Sequence, residues 1–457
     1  MPKRLPMFLL ALLLVFGAAF ACAEERPTAE PAPNGEKTQW TVLIYLCGSD
    51  LESESAMASY NLEEIAKTAP NDRVNVVIET GGAKQWWASE SVGLDIAADK
   101  LQRYSYDADG YSLVDEQPLD NMASAATLTD FIRWGAAAYP AEKMMLVLWD
   151  HGCGSLGGLI MDELHNEAIM PLDQLEIALT EANVPLEALV LDTCLMASLE
   201  TAQTVQNSAK YLIASEETVP GKGSAYDAWL QYLYNHPACD GARVGRVLCD
   251  VTQRKYVELG QTTTAGTLTS SIFDRRKIPA VSDAFDQMIL ELSGLLADPE
   301  YFFAFGYFTQ HMQRYEVETM VDLADMAGRA QNQAITNEVA NAVIEAVDAA
   351  VIYNLRGDLR SYSHGLSFYY QPTATFQQLD HYARCCKNAP YLAFLDAASM
   401  NWTAPAWVYE QTPRVKDIRR EDYIVEAETF LTSDNLPLLA ITNAPHAVAA
   451  VDAYLFQ

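Results

Sequence analysis

Positive charge is scarce in this chain: 30 Lys and Arg stand against 61 Asp and Glu in 457 residues, a formal net charge of −31. Such a surface repels phosphodiester backbones and anionic membranes, which argues against nucleic acid as a partner and favours cationic substrates. Solubility alone accounts for most of these carboxylates. From Met144 to Ala209 there is no Lys or Arg at all. Long apolar runs are also missing, apart from Met7 to Ala21. That run is short for a membrane span, follows the basic start Met1-Pro-Lys-Arg4 and ends on small residues, so residues 1–23 read as a secretory signal. Cys22, just after the run, adds a lipid anchor as the alternative. The expected location is therefore secreted or cell-surface, with no stable membrane span.

Several chemistries lack their residues. There is no Cys-x-x-Cys pair, no Cys/His cluster at zinc spacing, no His-Glu-x-x-His, no Gly-x-Ser-x-Gly elbow and no phosphate loop. No metal site and no required cofactor is read. Of the 8 cysteines, Cys22 is lost or lipidated, which leaves an odd number and hence at least one thiol unpaired within a single chain. Cys239 and Cys249 are readable as a disulfide or as two buried thiols; adjacent Cys385 and Cys386 are strained for a mutual bridge. No internal repeat is present.

What is present is an alternation of apolar runs and helical patterns. Residues 24–39, rich in Pro, Glu and Ala, read as a tether. Trp40 to Leu46 and Arg73 to Ile78 read as strands, Ala56 to Ala66 as a helix, and Trp86 to Gln117 as a hairpin outside the main sheet. Ala125 to Ala138 is a helix that leads into Met144 to Asp150, a strand ending on His151-Gly152. Leu172 to Asn183 is the next helix, Ala188 to Asp192 the next strand, and Leu195 to Asn207 the helix after it, followed by the strand Tyr211 to Ala214. Short continuous apolar runs that stop on polar residues are strands buried on both faces of a parallel sheet. The fold class is therefore α/β. Beyond about residue 262 the rhythm changes to helices at Pro279 to Leu296, Val317 to Arg329 and Gln333 to Tyr353, with a late strand at 364–370 placed at the edge of the sheet. The domain reading is a catalytic domain over 40–275 and a mainly helical portion over 276–457.

Open α/β sheets place chemistry at the carboxyl ends of their strands. Two such ends deliver His151 and Cys194, a base and a nucleophile. A cysteine just before the helix from Leu195 is expected to have its pKa lowered by the partial positive charge of the helix N-terminus. The N–H groups of Gly152 and Cys194 are candidate oxyanion donors. Asp192, two residues before the cysteine, is placed to order the turn into that helix. Glu216 and Glu217 follow the next strand at the same edge, where they either widen the acidic site or lie on a solvated loop. Asp150 adjoins His151 and points elsewhere, so no third catalytic residue is identified. Cys47, at the end of the first strand, is a rival thiol.

His-Gly at one strand end and Asp192-Thr-Cys-Leu-Met-Ala197 at a later one, with Ala214-Ser-Glu-Glu-Thr218, Pro220-Gly221 and Ser363-His-Gly-Leu-Ser-Phe-Tyr-Tyr370, resemble the clostripain family of caspase-like cysteine peptidases, over roughly Trp40 to Tyr370. The resemblance implies a caspase-like α/β/α sandwich with a mostly parallel sheet. It implies a cysteine endopeptidase that cuts proteins or peptides after Arg or Lys, with Cys194 as nucleophile, His151 as acid and base, oxyanion donors at Gly152 and Cys194, and substrate contacts at Asp192 and Glu217. Rivals on the same dyad are Asn or Asp specificity or transpeptidation; the rival of another class is an inactive surface binding protein. Calcium dependence occurs in the resembled family, and the scattered acids permit Ca2+ without an ordered ligand loop. Where the family commonly has glycine after His-Gly, this chain has Cys153, open to a disulfide or a redox lock. Related enzymes often mature by self-cleavage after a basic residue between the histidine and cysteine strands. With none between 144 and 209, a single chain is expected, active uncut or activated elsewhere, for instance at Lys210 or Lys222.

Overall fold

The structure is a computed structural model that describes residues 38–296, 309, 311–331, 333–371, 374–398, 426–431 and 437–443. The signal segment and the tether up to Lys37 lie outside the described residues. The centre is a nine-stranded sheet. Its middle is β1 (Thr38–Cys47), β2 (Val74–Gly81), β5 (Ala141–Trp149), β8 (Leu186–Asp192) and β9 (Ala209–Ala214), all parallel, in the order β9-β8-β5-β1-β2. Each is buried along nearly its whole length, which is why their sequences carry almost no polar residue until they end.

Helices cover both faces, and strand alternation decides which core each residue joins. Leu43 and Tyr45 of β1 point to one side, against Leu128, Phe131 and Ile132 of α2 (Ala125–Ala138) and Leu175 and Leu179 of α3 (Leu172–Ala182). Val42, Ile44 and Leu46 point to the other, against Leu62 and Ile65 of α1 (Met57–Ala66), Trp229 and Leu233 of α5 (Tyr226–Asn235) and Val244 and Leu248 of α6 (Gly241–Glu258). Each fully buried Leu, Ile or Phe is worth about 1.5–3 kcal/mol relative to exposure, so a one-residue register slip in β1 would invert both cores.

Several sequence expectations need correction. The hairpin of β3 (Lys100–Asp107) and β4 (Gly110–Pro118) does not lie outside the sheet; it extends it, antiparallel, beyond β2. The helix expected from Gln333 to Tyr353 stops at Ala350 (Asn337–Ala350), and the β-branched run after it becomes β12 (Val351–Arg356). That strand, paired with β10 (Thr269–Asp274), is the far edge of the sheet. The late strand, β13 (Ser367–Tyr369), therefore does not edge the main sheet; it pairs with β11 (Met320–Asp322) in a two-stranded sheet of its own. Residues on both sides of 275 also share one core, which runs from Leu43 to Leu395.

Candidate functional site

Register fixes the site. Leu46 of β1 pairs with Trp149 of β5, and Trp149 pairs with Asp192 of β8. The residues that follow these three, 47–50, 150–152 and 193–194, therefore emerge side by side at the carboxyl edge. The backbones are in van der Waals contact there: a Cβ at Gly152 would stand 2.1 Å from the Cys194 carbonyl oxygen and 2.8 Å from its nitrogen. Only glycine permits that approach.

Gly152 forms an antiparallel bridge with Leu159, the first residue of β6 (Leu159–Asp162), a strand paired with β7 (Ala168–Met170); in the bridge Cys153 N donates to Gly158 O and Ile160 N to His151 O. Gly152 is thus the non-hydrogen-bonded member of the pair, and its own N–H points away from that strand. Cys194 lies in a tight turn whose next residue, Leu195, is left-handed at φ 64°. Three contacts hold the turn against the segment after β9: Leu195 N donates to Glu217 O (3.2 Å), Ala197 N to Ser215 O (2.8 Å) and Val219 N to Cys194 Sγ (3.2 Å). From the other side Ser367 N donates to Ala197 O at 2.9 Å.

The thiol departs from the sequence expectation. The helix does not begin at Leu195; α4 is Leu199–Val205 and is capped by Ser198. Cys194 therefore stands outside its first turn, where the dipole acts. Burial pushes the Cys194 thiol up, and the Val219 N–H offsets only part of this. Leu195, Met196 and Ala197 look helical in sequence because they are apolar, but they are buried in the core on an irregular turn.

His151 Nε2 lies 2.7 Å from Asp50 Oδ1. Asp50 is a residue that the sequence reading missed. Asp150 does point elsewhere: it is buried, accepts from Ser49 Oγ (2.6 Å) and from Met161 N (2.5 Å), and burial pushes its carboxyl up to about 7. A carboxyl whose folded value exceeds its unfolded one, about 3.9, binds more protons folded than unfolded between the two values, so stability falls as pH rises through them. In a Cys194→Ala background, the thermal midpoint should decline from about pH 4 to pH 7, and the decline should be shallower with Asp150→Asn added. A midpoint that rises over this range would contradict the assignment.

Asp192 is buried at the end of β8, and burial raises its pKa against donors from Ser224 and Tyr226 and the charge of Lys255. Its Oδ2 accepts from Ser224 N and Tyr226 OH, each at 3.0 Å. The carboxylate borders a cavity of about 30 Å³ shared with Ser215, Val219, Ser224 and Thr252. That space suits about one water, too little for an arginine or lysine side chain. Glu217 is not available to a substrate. Its carboxylate is paired with Arg360 and accepts from Glu316 N at 3.1 Å, and the side chain is buried. Glu216 is also turned inward, fully buried beside Asp322 with Gly365 N on its Oε2. Neither widens the acidic site as expected, because the C-terminal portion covers them.

Cys47 is fully buried with its thiol on the Met161 carbonyl, which leaves no room for a substrate. Cys153 is half-buried, and burial raises its thiol. All seven cysteines among the described residues are free, Cys239 and Cys249 included. Lys210 lies within β9, with its ammonium on Glu187. The Lys222 carbonyl is gripped by Asn61 and Lys255. Among the described residues no group of three His, Cys, Asp or Glu could hold a metal ion, and no helix is long and apolar enough to cross a membrane.

A family model described as the clostripain family matches residues 44–383. No curated protein sequence matches the chain significantly. Solved structures that share the fold include the following. A secreted cysteine protease from Bacteroides thetaiotaomicron bound to an irreversible peptide inhibitor is 19% identical, over 79% of this chain and 98% of that one, with a TM-score of 0.58. A structure of a secreted cysteine protease from the same organism described as iotapain is 18% identical over 73% and 94%, with a TM-score of 0.56. An inactive zymogen from Parabacteroides distasonis is 21% identical over 74% and 93%, with a TM-score of 0.55.

Proposed function

The chain belongs to the clostripain family of cysteine peptidases, and on that premise we propose that it is an exported endopeptidase that cleaves after Arg or Lys through Cys194 and His151. The observation that supports this most directly is the contact of Gly152 with the Cys194 backbone, which sets the histidine and cysteine turns against each other. Because the thiol is pushed up, its proton must leave as it attacks. His151 accepts that proton while Sγ bonds to the substrate carbonyl carbon. The oxyanion is received by the N–H groups of Gly152 and Cys194. As the tetrahedral species collapses, the C–N bond breaks and His151 returns the proton to the departing amine. Water, deprotonated by His151, then attacks the thioester; the C–S bond breaks and the thiol is reprotonated.

Asp192 is the group proposed to receive the basic side chain. Its carboxylate is held in one orientation by Ser224 and Tyr226, and a charged partner gains most where solvent is excluded. Export rests on the segment 1–23, and the peptide inhibitor bound by the related secreted protease supports peptide substrates. A panel of reporters that differ only in the residue before the scissile bond tests this reading. Arg and Lys reporters should be turned over fastest, and Asp192→Asn should lower kcat/KM on them about 100-fold, while a small thiol reagent still labels Cys194. Preference for Asn or Asp, unaltered by Asp192→Asn, would refute the specificity.

A further inference from the structure

We propose that Asp50 is a positioning residue that holds the His151 imidazole in one tautomer and aims its other nitrogen at the reaction centre. This rests on the proposed role of His151 as acid and base. The geometry is a double clasp between two turns. β1 ends at Cys47, and after Gly48 the next residue, Ser49, is fully buried and left-handed at φ 46°. A non-glycine residue in that region is strained, and such strain persists only where neighbours over-determine it. They do so here: Ser49 Oγ donates to Asp150 Oδ1 at 2.6 Å while Asp50 Oδ1 meets His151 Nε2 at 2.7 Å. Consecutive residues of one turn thus hold consecutive residues of the other. Met161 N, on Asp150 Oδ2, fixes the clasp from behind.

The tautomer follows from the partner. Partial burial works against ionisation of Asp50, but the hydrogen bond and charge of His151 outweigh it and hold the carboxyl below the usual aspartate value. An ionised carboxylate only accepts, so Nε2 carries the proton and Nδ1 is the nitrogen left to exchange protons with Cys194 and the leaving amine. An aspartate that orients a catalytic imidazole without touching substrate acts on kcat. Asp50 is suited to this and not to burial, being 41% exposed on its side chain.

Steady-state kinetics of Asp50→Ala, Asp50→Asn and Asp50→Glu, beside His151→Ala, test the assignment. Asp50→Ala and Asp50→Asn should lower kcat about 10- to 100-fold at unchanged KM. Asp50→Glu, which keeps an anion on an accessible turn, should recover most of the loss. In the Cys194→Ala background, a low-field imidazole N–H proton resonance should be present and should vanish with Asp50→Ala. If His151→Ala is inactive while Asp50→Ala and Asp50→Asn keep wild-type kcat, or if Asp50→Glu is no better than Asp50→Ala, the positioning role is wrong and the dyad stands. If His151→Ala keeps full turnover, both fall.

Discussion

Cys194→Ala should lose turnover by a factor of roughly 10⁴ or more, because covalent catalysis has no substitute for its nucleophile. The fold should barely register the change. The sulfur accepts a hydrogen bond from Val219 N and donates a long one, 3.6 Å, to Val219 O, while the turn around it is held by main-chain bonds from residues 195 and 197 and by Ser367. A loss of activity with an unchanged thermal midpoint is therefore the expected signature. Cys47→Ala should instead leave catalysis intact, since that thiol is sealed beneath the sheet edge and burial pushes it well up. Residual turnover in Cys194→Ala that disappears on adding Cys47→Ala or Cys153→Ala would reassign the nucleophile.

Gly152→Ala should lower kcat about 10²- to 10³-fold, the usual cost of removing one oxyanion donor, and should also reduce stability. The new methyl group would face main-chain atoms of Cys194 at 2.1, 2.8 and 3.0 Å, and backbone cannot rotate aside as a side chain does. Either the two turns separate or the Gly152 N–H swings out of line. A control separates this from a general intolerance of alanine near the site. At Gly221 a Cβ would meet only the flexible side chain of Met57, no closer than 3.5 Å, so Gly221→Ala should behave as wild type. Full activity in Gly152→Ala would show that the turn contact does not position the chemistry.

The central strands, and the strand ends that carry His151 and Cys194, are legible because their signal is local. β1, β5 and β8 are buried on both faces, so their apolar runs end where the strands end, and α2 was read with the bounds it has, Ala125–Ala138. What was missed depends on contacts between distant segments. Asp50 belongs to a Gly-Ser-Asp turn that looks like any surface turn until β1 is placed beside β5; the tendency of doubly wound sheets to gather strand ends at one edge could have nominated it. The start of α4 was misread because Leu195 to Ala197 are apolar for tertiary reasons, although Ser198 is a recognisable cap. Glu217 looked free to bind substrate because its partner, Arg360, lies far along the chain. The strand β12 was hidden behind a helix whose periodicity runs straight into it.

The account depends on Cys194 being the sulfur that meets the substrate carbonyl. The most direct measurement is peptide mapping by mass spectrometry after reaction with an arginine-terminated peptidyl electrophile. The expected result is a single adduct, on Cys194, reduced by His151→Ala and outcompeted by an Arg peptide. An adduct on Cys47 or Cys153 with Cys194 unmodified would contradict it.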